Sequence, residues 1–379
     1  MSVGIVAGEP SGDMLGALLV HALRRLIPDI SFVGIAGPQM QAAGVTSLFP
    51  MSTLAVRGYV EVMRNLFEIL AIRRRLRREF AARPPALFIG VDAPDFNLEL
   101  EQALRARGVT TVHFISPSIW AWRYERVHKI RKAVSHMLAL FPFEAPIYVK
   151  EGVPVTYVGH PLADELPDDP QPADLREQLR IPVAGPVIAL LPGSRMSELA
   201  YMGEVFLRAA ALIAEKLGEV TFLVPAVNRE ARDFIERTRR ELKLDALRVQ
   251  VLFGHAHAAI GAADVILVAS GTATLEAALI GRPMVIAYRM PKLSYRLMCR
   301  HHRLPYVGLP NILAGEFIVP ELLQNAATPE NLSQALLNLL VDREVQERMR
   351  ARFAAIRAQL RRDAANSAAR AIQALVGRA

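Results

Sequence analysis

Short apolar runs rich in β-branched residues alternate with stretches of helical period along most of this chain, and that alternation admits few folds. Ser2–Ala7, Phe32–Ala36, Ala86–Val91, Thr110–Ile115, His136–Leu140 and Thr156–Val158 read as strands. Met14–Leu26, Val60–Ala82, Phe96–Arg107 and Ala121–Lys132 lie between them with helical spacing. Strands that are apolar on both faces and separated by helices build a parallel sheet with helices on each side. The pattern pauses at the Pro- and Asp-rich segment 162–175, which reads as a linker, and then restarts. Val187–Leu191, Val220–Val224, Val249–Phe253, Val265–Val268 and Met284–Ala287 read as strands; Glu198–Lys216, Glu230–Leu242 and Thr272–Ile280 read as helices. From Pro329 the spacing is helical to the end. The chain has 379 residues, more than one hydrophobic core ordinarily serves. The expectation is an α/β protein of two doubly wound, Rossmann-like domains facing a cleft. They cover residues 1–165 and 166–345, and C-terminal helices 346–379 cross to the partner domain or subunit.

Composition narrows the setting. The formal charge is +8, which suits anionic partners such as nucleotide-sugars or an acidic membrane surface. Aromatics make up 7% and do not alternate with basic residues, so the stacking platforms of a nucleic-acid binder are missing. Cys299 is the sole cysteine, so no internal disulfide can form, and a reducing compartment is expected. The start, MSVGIVAGEP, lacks the basic and apolar regions of a secretory signal, and no apolar run approaches the roughly 20 residues of a spanning helix. A cytoplasmic, non-spanning protein follows as the expectation.

In doubly wound sheets ligands bind beyond the carboxyl ends of the strands, and five loops there have unusual composition. AGEPSGD (7–13) offers Ser11 and the glycines Gly8, Gly12 and Gly16 for a close approach to a ligand, before a helix start that favours anions. The competing reading is an ordinary turn capped by Ser11 or Asp13. GVDAPDFN (90–97) places Asp92 where a strand leaves the sheet, and Asp95 where a helix N-cap belongs. Asp92 is therefore the candidate general base and Asp95 a structural residue. ISPSIWAWRYERVHKIRK (115–132) holds both tryptophans, Trp120 and Trp122, followed by Arg123 and further basic residues. These read as edge packing with a solvated basic face, plus a helper role toward an acceptor.

LLPGSR (190–195) and ASGTATLEAA (269–278) carry the donor-side candidates. Gly193 and Ser194 free backbone amides at a turn, and Arg195 adds a fork suited to phosphate, or else pairs with Glu198. Ser270, Gly271 and Thr272 open a helix whose amides and dipole suit a diphosphate. Glu276, one turn later, can accept hydrogen bonds from ribose hydroxyls. His255 and His257 lack the further ligands of a zinc site, and His160 before Pro161 reads as a residue bonded to backbone, so no metal is expected.

AGEPSGD, GVDAPDFN, SPSIWAWR, FPFE, VGHPLAD, LLPGSR, SGTATLEAAL and LPNILAG occur in the order seen in lipid-A-disaccharide synthases, which the chain resembles from Gly4 to about Asn366. It departs from the family's usual pattern at Pro10 and at Arg57-Gly58. The resemblance implies a GT-B architecture, with the donor on the second domain and a lipid acceptor on the first. It implies transfer, with inversion, from UDP-2,3-diacylglucosamine to 2,3-diacylglucosamine 1-phosphate (lipid X). Asp92 and Arg195 fall on the family's essential residues, and Glu276 and Asn311 on residues expected to line the UDP pocket. A homodimer with exchanged C-terminal helices and peripheral association with the inner membrane are implied as well. Toward that membrane, Val62, Met63, Leu66, Phe67, Ile69 and Leu70 form an apolar band. Eight arginines stand against three glutamates between residues 57 and 83. A core-packed helix with a solvated basic end is the competing reading. Rival functions are a peptidoglycan glycosyltransferase, a UDP-GlcNAc epimerase and a non-catalytic lipid carrier.

Overall fold

A computed structural model describes the chain apart from residues 55–58, 122, 169, 183, 293–294, 297–303 and 378–379, and the side chains of residues 59–65. Arg57, Gly58, Trp122, Cys299 and the Met63 side chain therefore lie outside the described residues. Two units emerge, Met1–Asp164 with Gln359–Ala379, and Glu165–Ala358.

The first unit runs β1 (Ser2–Ala7), α1 (Pro10–Leu26), β2 (Ser31–Ala36), α2 (Pro38–Ala42), β3 (Val45–Pro50), α3 (Tyr59–Ala82), β4 (Leu87–Val91) and α4 (Pro94–Arg105). It continues through β5 (Thr110–Phe114), α5 (Arg126–Ala133), β6 (His136–Ala139), α6 (Glu144–Lys150), β7 (Val155–Tyr157) and α7 (Pro161–Glu165). Its seven strands are parallel, in the order β3-β2-β1-β4-β5-β6-β7. Strand order reverses between β1 and β4, and that is where such sheets open a ligand crevice.

The second unit runs α8 (Pro172–Gln178), β8 (Val187–Leu191), α9 (Met196–Leu217), β9 (Thr221–Ala226), α10 (Arg229–Glu241), β10 (Val249–Phe253), α11 (Ala256–Ala262) and β11 (Val265–Ala269). Then come α12 (Thr272–Ile280), β12 (Met284–Tyr288), α13 (Leu309–Ala314), β13 (Glu321–Leu323), α14 (Pro329–Val341) and α15 (Arg343–Leu360). The order β10-β9-β8-β11-β12-β13 is again parallel and reverses between β8 and β11.

Continuous burial explains why the strand runs lack alternation: Val3, Ile5, Val6, Leu87, Phe88 and Ile89 are all closed off from solvent because helices cover both faces of the sheet. On one face α1 shares a core with the last helix, α16 (Ala364–Val376), through Leu19, Leu23, Ala368, Ala369 and Ile372. On the other, Ile72, Leu76 and Phe80 of α3 meet Phe96, Leu100 and Leu104 of α4.

Some boundaries differ from the sequence expectation. The chain re-enters the first unit at Gln359, within α15, rather than at residue 346. Helix α1 begins at Pro10, four residues before Met14, because proline's fixed φ suits a first helical position. Helix α5 begins at Arg126 rather than Ala121, since Arg123 takes a left-handed φ of 54° that a helix cannot pass through.

Candidate functional site

Asp92 sits at the C-terminal end of β4, beside the reversal point of the first sheet. The chain turns there through two consecutive left-handed residues, Asp92 (φ 55°) and Ala93 (φ 41°). Such non-glycine positions cost about 1–3 kcal/mol each and persist only where the surroundings over-determine them. Here the Asp92 carboxylate accepts from Gly8 N–H (2.8 Å) and Glu9 N–H (3.1 Å), and its own N–H donates to the Phe114 carbonyl (3.1 Å). The glycines of AGEPSGD serve this approach: a Cβ on Gly12 would fall 1.9 Å from Asp92 Oδ2, and one on Gly8 2.5 Å from Ala93 Cβ. Burial pushes the Asp92 carboxyl up to about 7, with the Gly8 and Glu9 amides and His113 opposing and the Glu9 charge adding. That value suits a group that must accept a proton near neutral pH.

Neighbouring acids divide the structural work. Asp13 is buried and accepts from Gln39 and Met40 N–H (2.9 and 3.0 Å), so it caps α2 rather than α1, whose N-cap is Glu9. Ser11 is exposed in the first turn of α1 and caps nothing there. Asp95 is likewise not an N-cap, because α4 starts one residue earlier at Pro94; it pairs with Arg126 at 2.7 Å.

The SPSIW loop is tied to FPFE. Trp120 packs edge-on against Phe143 (5.1 Å between centroids), which stacks on Phe141. Glu144 is buried and accepts from Phe141 N–H at 3.0 Å. Burial pushes its carboxyl up to about 8, tempered by hydrogen bonds from the Phe141 backbone and the Ser116 and Trp120 side chains. The sequence reading named FPFE only as part of a pattern and missed this acid, since nothing in one dimension shows that Glu144 is buried. Arg123 is exposed beside the loop. His160 is buried against Phe141 and bonded to backbone, accepting from Leu162 N–H at 3.3 Å.

Helix α3 has two parts. Its C-terminal half buries Ile72, Leu76 and Phe80, while Arg74, Arg75, Arg77 and Arg78 face solvent. Arg73 is engaged with Glu99 at 2.5 Å. Phe67 is 82% exposed, whereas Ile69 packs partly against the core and leaves the apolar band.

In the second unit the phosphate candidates separate. Glu198 Oε2 accepts from the N–H groups of Ser194 (3.0 Å) and Arg195 (3.3 Å). Two amides of this turn, those of Ser194 and Arg195, are therefore met by a carboxylate from α9 itself. Gly193 (φ 128°) is needed there because a Cβ would lie 2.5 Å from Glu198 Cβ. The Arg195 guanidinium touches Glu198 Oε1 at 3.3 Å and stays half exposed.

At the reversal of the second sheet, Ser270 spends its N–H on Ala287 O (3.2 Å) and its hydroxyl on Val307 O (3.1 Å), so it shapes the turn. Gly271 and Thr272 are exposed at the start of α12, where the first amides of a helix have no intrahelical partner. Glu276, one turn on, pairs with His257 Nε2 at 3.2 Å. The pairing raises the His257 pKa.

Asn311 does not line a pocket by its side chain. It is fully buried, donating to Val319 O (2.9 Å) and Glu321 Oε1 (2.8 Å) and accepting from Ile318 and Val319 N–H (2.9 Å each). All four capacities of the amide are used. It holds the LPNILAG loop.

The profile of the family described as lipid-A-disaccharide synthetase matches residues 3–375. The chain belongs to that family. Membership makes it an enzyme, a glycosyltransferase of lipid A biosynthesis. A lipid-A-disaccharide synthase of Methylobacillus flagellatus is 51% identical to this synthetase-family chain over 375 residues, covering 99% of each. Among solved structures, UDP-GlcNAc 2-epimerase from Neisseria meningitidis, bound to UDP-GlcNAc, aligns over 100% of both chains with a TM-score of 0.66 at 13% identity. Acinetobacter baumannii MurG aligns over 98% of each with a TM-score of 0.59 at 17% identity. At such identities these two speak for fold alone, and the fold is GT-B.

Proposed function

We propose that this enzyme joins UDP-2,3-diacylglucosamine to lipid X, inverting the anomeric centre and releasing UDP. The observation that carries the mechanism is the Asp92 carboxylate, fixed by two backbone amides at the reversal point of the first sheet and held near neutrality. Asp92 takes the proton of the acceptor's primary hydroxyl as that oxygen bonds to the anomeric carbon. The bond from this carbon to the UDP oxygen breaks, and the electron pair leaves with UDP. Arg195 and the first amides of α12 offset the charge gathering on the diphosphate. Glu276, oriented by His257, takes the ribose hydroxyls. Trp120, Arg123 and the outer part of α3 belong to the acceptor side.

The reaction in this reading uses no metal, and the protein works at an anionic inner-membrane surface. Among the described residues no helix is long and apolar enough to cross a membrane. A homodimer with exchanged C-terminal helices belongs to the same reading: α16 packs on α1 through Ala368, Ala369 and Ile372, and this is the contact that an exchange would hand to a second copy.

The test is UDP release from UDP-2,3-diacylglucosamine, with and without lipid X, in detergent containing chelator. Acceptor-dependent release that survives chelation supports transfer without a metal. UDP binding with no release on adding lipid X moves the assignment to another UDP-sugar enzyme of this fold. Asp92→Asn is expected to cut turnover by about 10²–10⁴-fold, the ordinary contribution of a general base, while UDP affinity stays unchanged. Undiminished turnover removes the base assignment.

A further inference from the structure

Beneath Asp92 lies a set of polar side chains that the reaction above does not use. Asn97 and Glu101 are spaced one turn apart on α4, and His113 stands on β5 next to Gly90 of β4; all three are 0% exposed. Asn97 Nδ2 donates to Asp92 O at 2.9 Å and lies near Val6 O (3.2 Å) and Val91 O (3.4 Å). It thus ties the left-handed turn to the ends of both strands that flank the reversal point. Glu101 Oε1 meets His113 Nδ1 at 2.7 Å, clamping α4 to β5. Gly90 makes room for the set, since a Cβ there would fall 2.1 Å from Glu101 Oε1 and 3.0 Å from Asn97 Cβ.

The cluster is poorly built for stability. Asn97 Oδ1, Glu101 Oε2 and His113 Nε2 are buried with no hydrogen-bond partner. An apolar group of similar shape would spare those desolvation costs, and buried pairs of this kind are weak stabilisers. None of the three reaches solvent, so none can touch an acceptor. Asn97 touches the backbone that aims Asp92, and the Glu101–His113 pair lies against Gly90, two residues before it.

We propose that Asn97 and the Glu101–His113 pair are positioning residues for Asp92, holding its strained turn so that the carboxylate meets the acceptor hydroxyl in line with the anomeric carbon. The proposal rests on Asp92 being the base. The titratable groups that face Asp92 are Glu9, from the loop before α1, and His113, from β5; Glu101 in turn faces His113. His113 holds the Asp92 pKa down against the effect of burial. The acid limb of kcat/KM in the wild type is therefore expected near pH 7, and removing His113 is expected to move it to higher pH.

The experiment uses the full-length chain, with UDP-2,3-diacylglucosamine and lipid X, and compares His113→Gln and Asn97→Ala alone and combined with Asp92→Asn. In the active background each variant is expected to lower kcat by about 10²-fold, the usual consequence of a misplaced reacting group, with KM for the UDP-sugar little changed. His113→Gln also shifts the acid limb upward. In the Asp92→Asn background the same changes cost less than about twofold, because residues that act as a unit are non-additive. Full losses in both backgrounds, or wild-type kcat with an unmoved acid limb in the folded variants, overturn the proposal. If one variant does not fold, the other carries the test. If neither folds, the cluster is fold support and the proposal falls. Should Asp92→Asn itself retain turnover, the base assignment fails first, which is a separate result from loss of positioning.

Discussion

Two carboxyl groups of the first unit are held above their ordinary range for the same reason, burial, but with different consequences. Asp92 sits at the reversal point of the first sheet, where the proposed reaction brings the acceptor hydroxyl; Glu144 is enclosed and can only bond to the loop around it. Glu144 therefore makes a stability prediction. Its carboxyl rises from 4.5 when unfolded to about 8 when folded, so the folded state retains a proton that the unfolded chain releases. The corresponding stability is fully present below about pH 4.5 and is lost as pH rises through about 8. Denaturant titrations across pH 6–9.5 should show this decline in the wild type and a flatter profile in Glu144→Gln. Equal slopes would show that Glu144 ionises in the fold as it does in water. On the donor side the residue scale also decides: Glu198 occupies the turn amides, so Arg195 faces outward as a side chain rather than as part of a backbone cradle.

Helix α3 shows how one element can serve two surroundings. Ile72, Leu76 and Phe80 repeat every four residues and seat the helix on the sheet, which leaves the intervening arginines outside by geometry alone. Toward its start, Leu66 and Phe67 are exposed with those arginines close along the chain, the composition of a surface that docks on anionic lipid. Phe67→Ser together with Arg→Gln at 74, 75, 77 and 78 is expected to abolish sedimentation with phosphatidylglycerol vesicles at low salt and leave the fold intact. Unchanged co-sedimentation would return the arginines to ordinary solvation. Arg73 is left out because it pairs with Glu99 and binds the Asp95 carbonyl.

At the scale of the molecule, the last helix is part of the first unit's core although it is the most distant element in sequence. Asp164 receives the N–H groups of Asp363 (3.0 Å) and Ala364 (2.7 Å), which sets the entry of α16, and Ile372 then seats against α1. Ile372→Ala should cost about 2–5 kcal/mol, the range for truncating a buried isoleucine. Hydrogen exchange should show faster opening in residues 1–164 while residues 165–358 are unaffected. Uniform acceleration in both would contradict the division at Gln359.

The parallel sheets and their helices were legible in the sequence because doubly buried strands need uninterrupted apolar runs, and these are visible one residue at a time. The loops bearing Asp92, Arg195 and Thr272 could be located for the same reason, as they follow the strands. Family membership was legible in motifs quoted in order. What the linear pattern could not hold was partnership. Gly12 is required by a carboxylate eighty residues away, the Glu144 carboxyl is pushed up by what encloses it, and Asn311 is consumed by backbone that only folding brings near. Short elements such as α2, α11 and α13 had too few residues to show a period. Residue type and spacing determined which chemistry was present in this chain. The tertiary structure decided which groups are free to perform it, because burial and hydrogen-bond satisfaction are properties of neighbours and not of sequence.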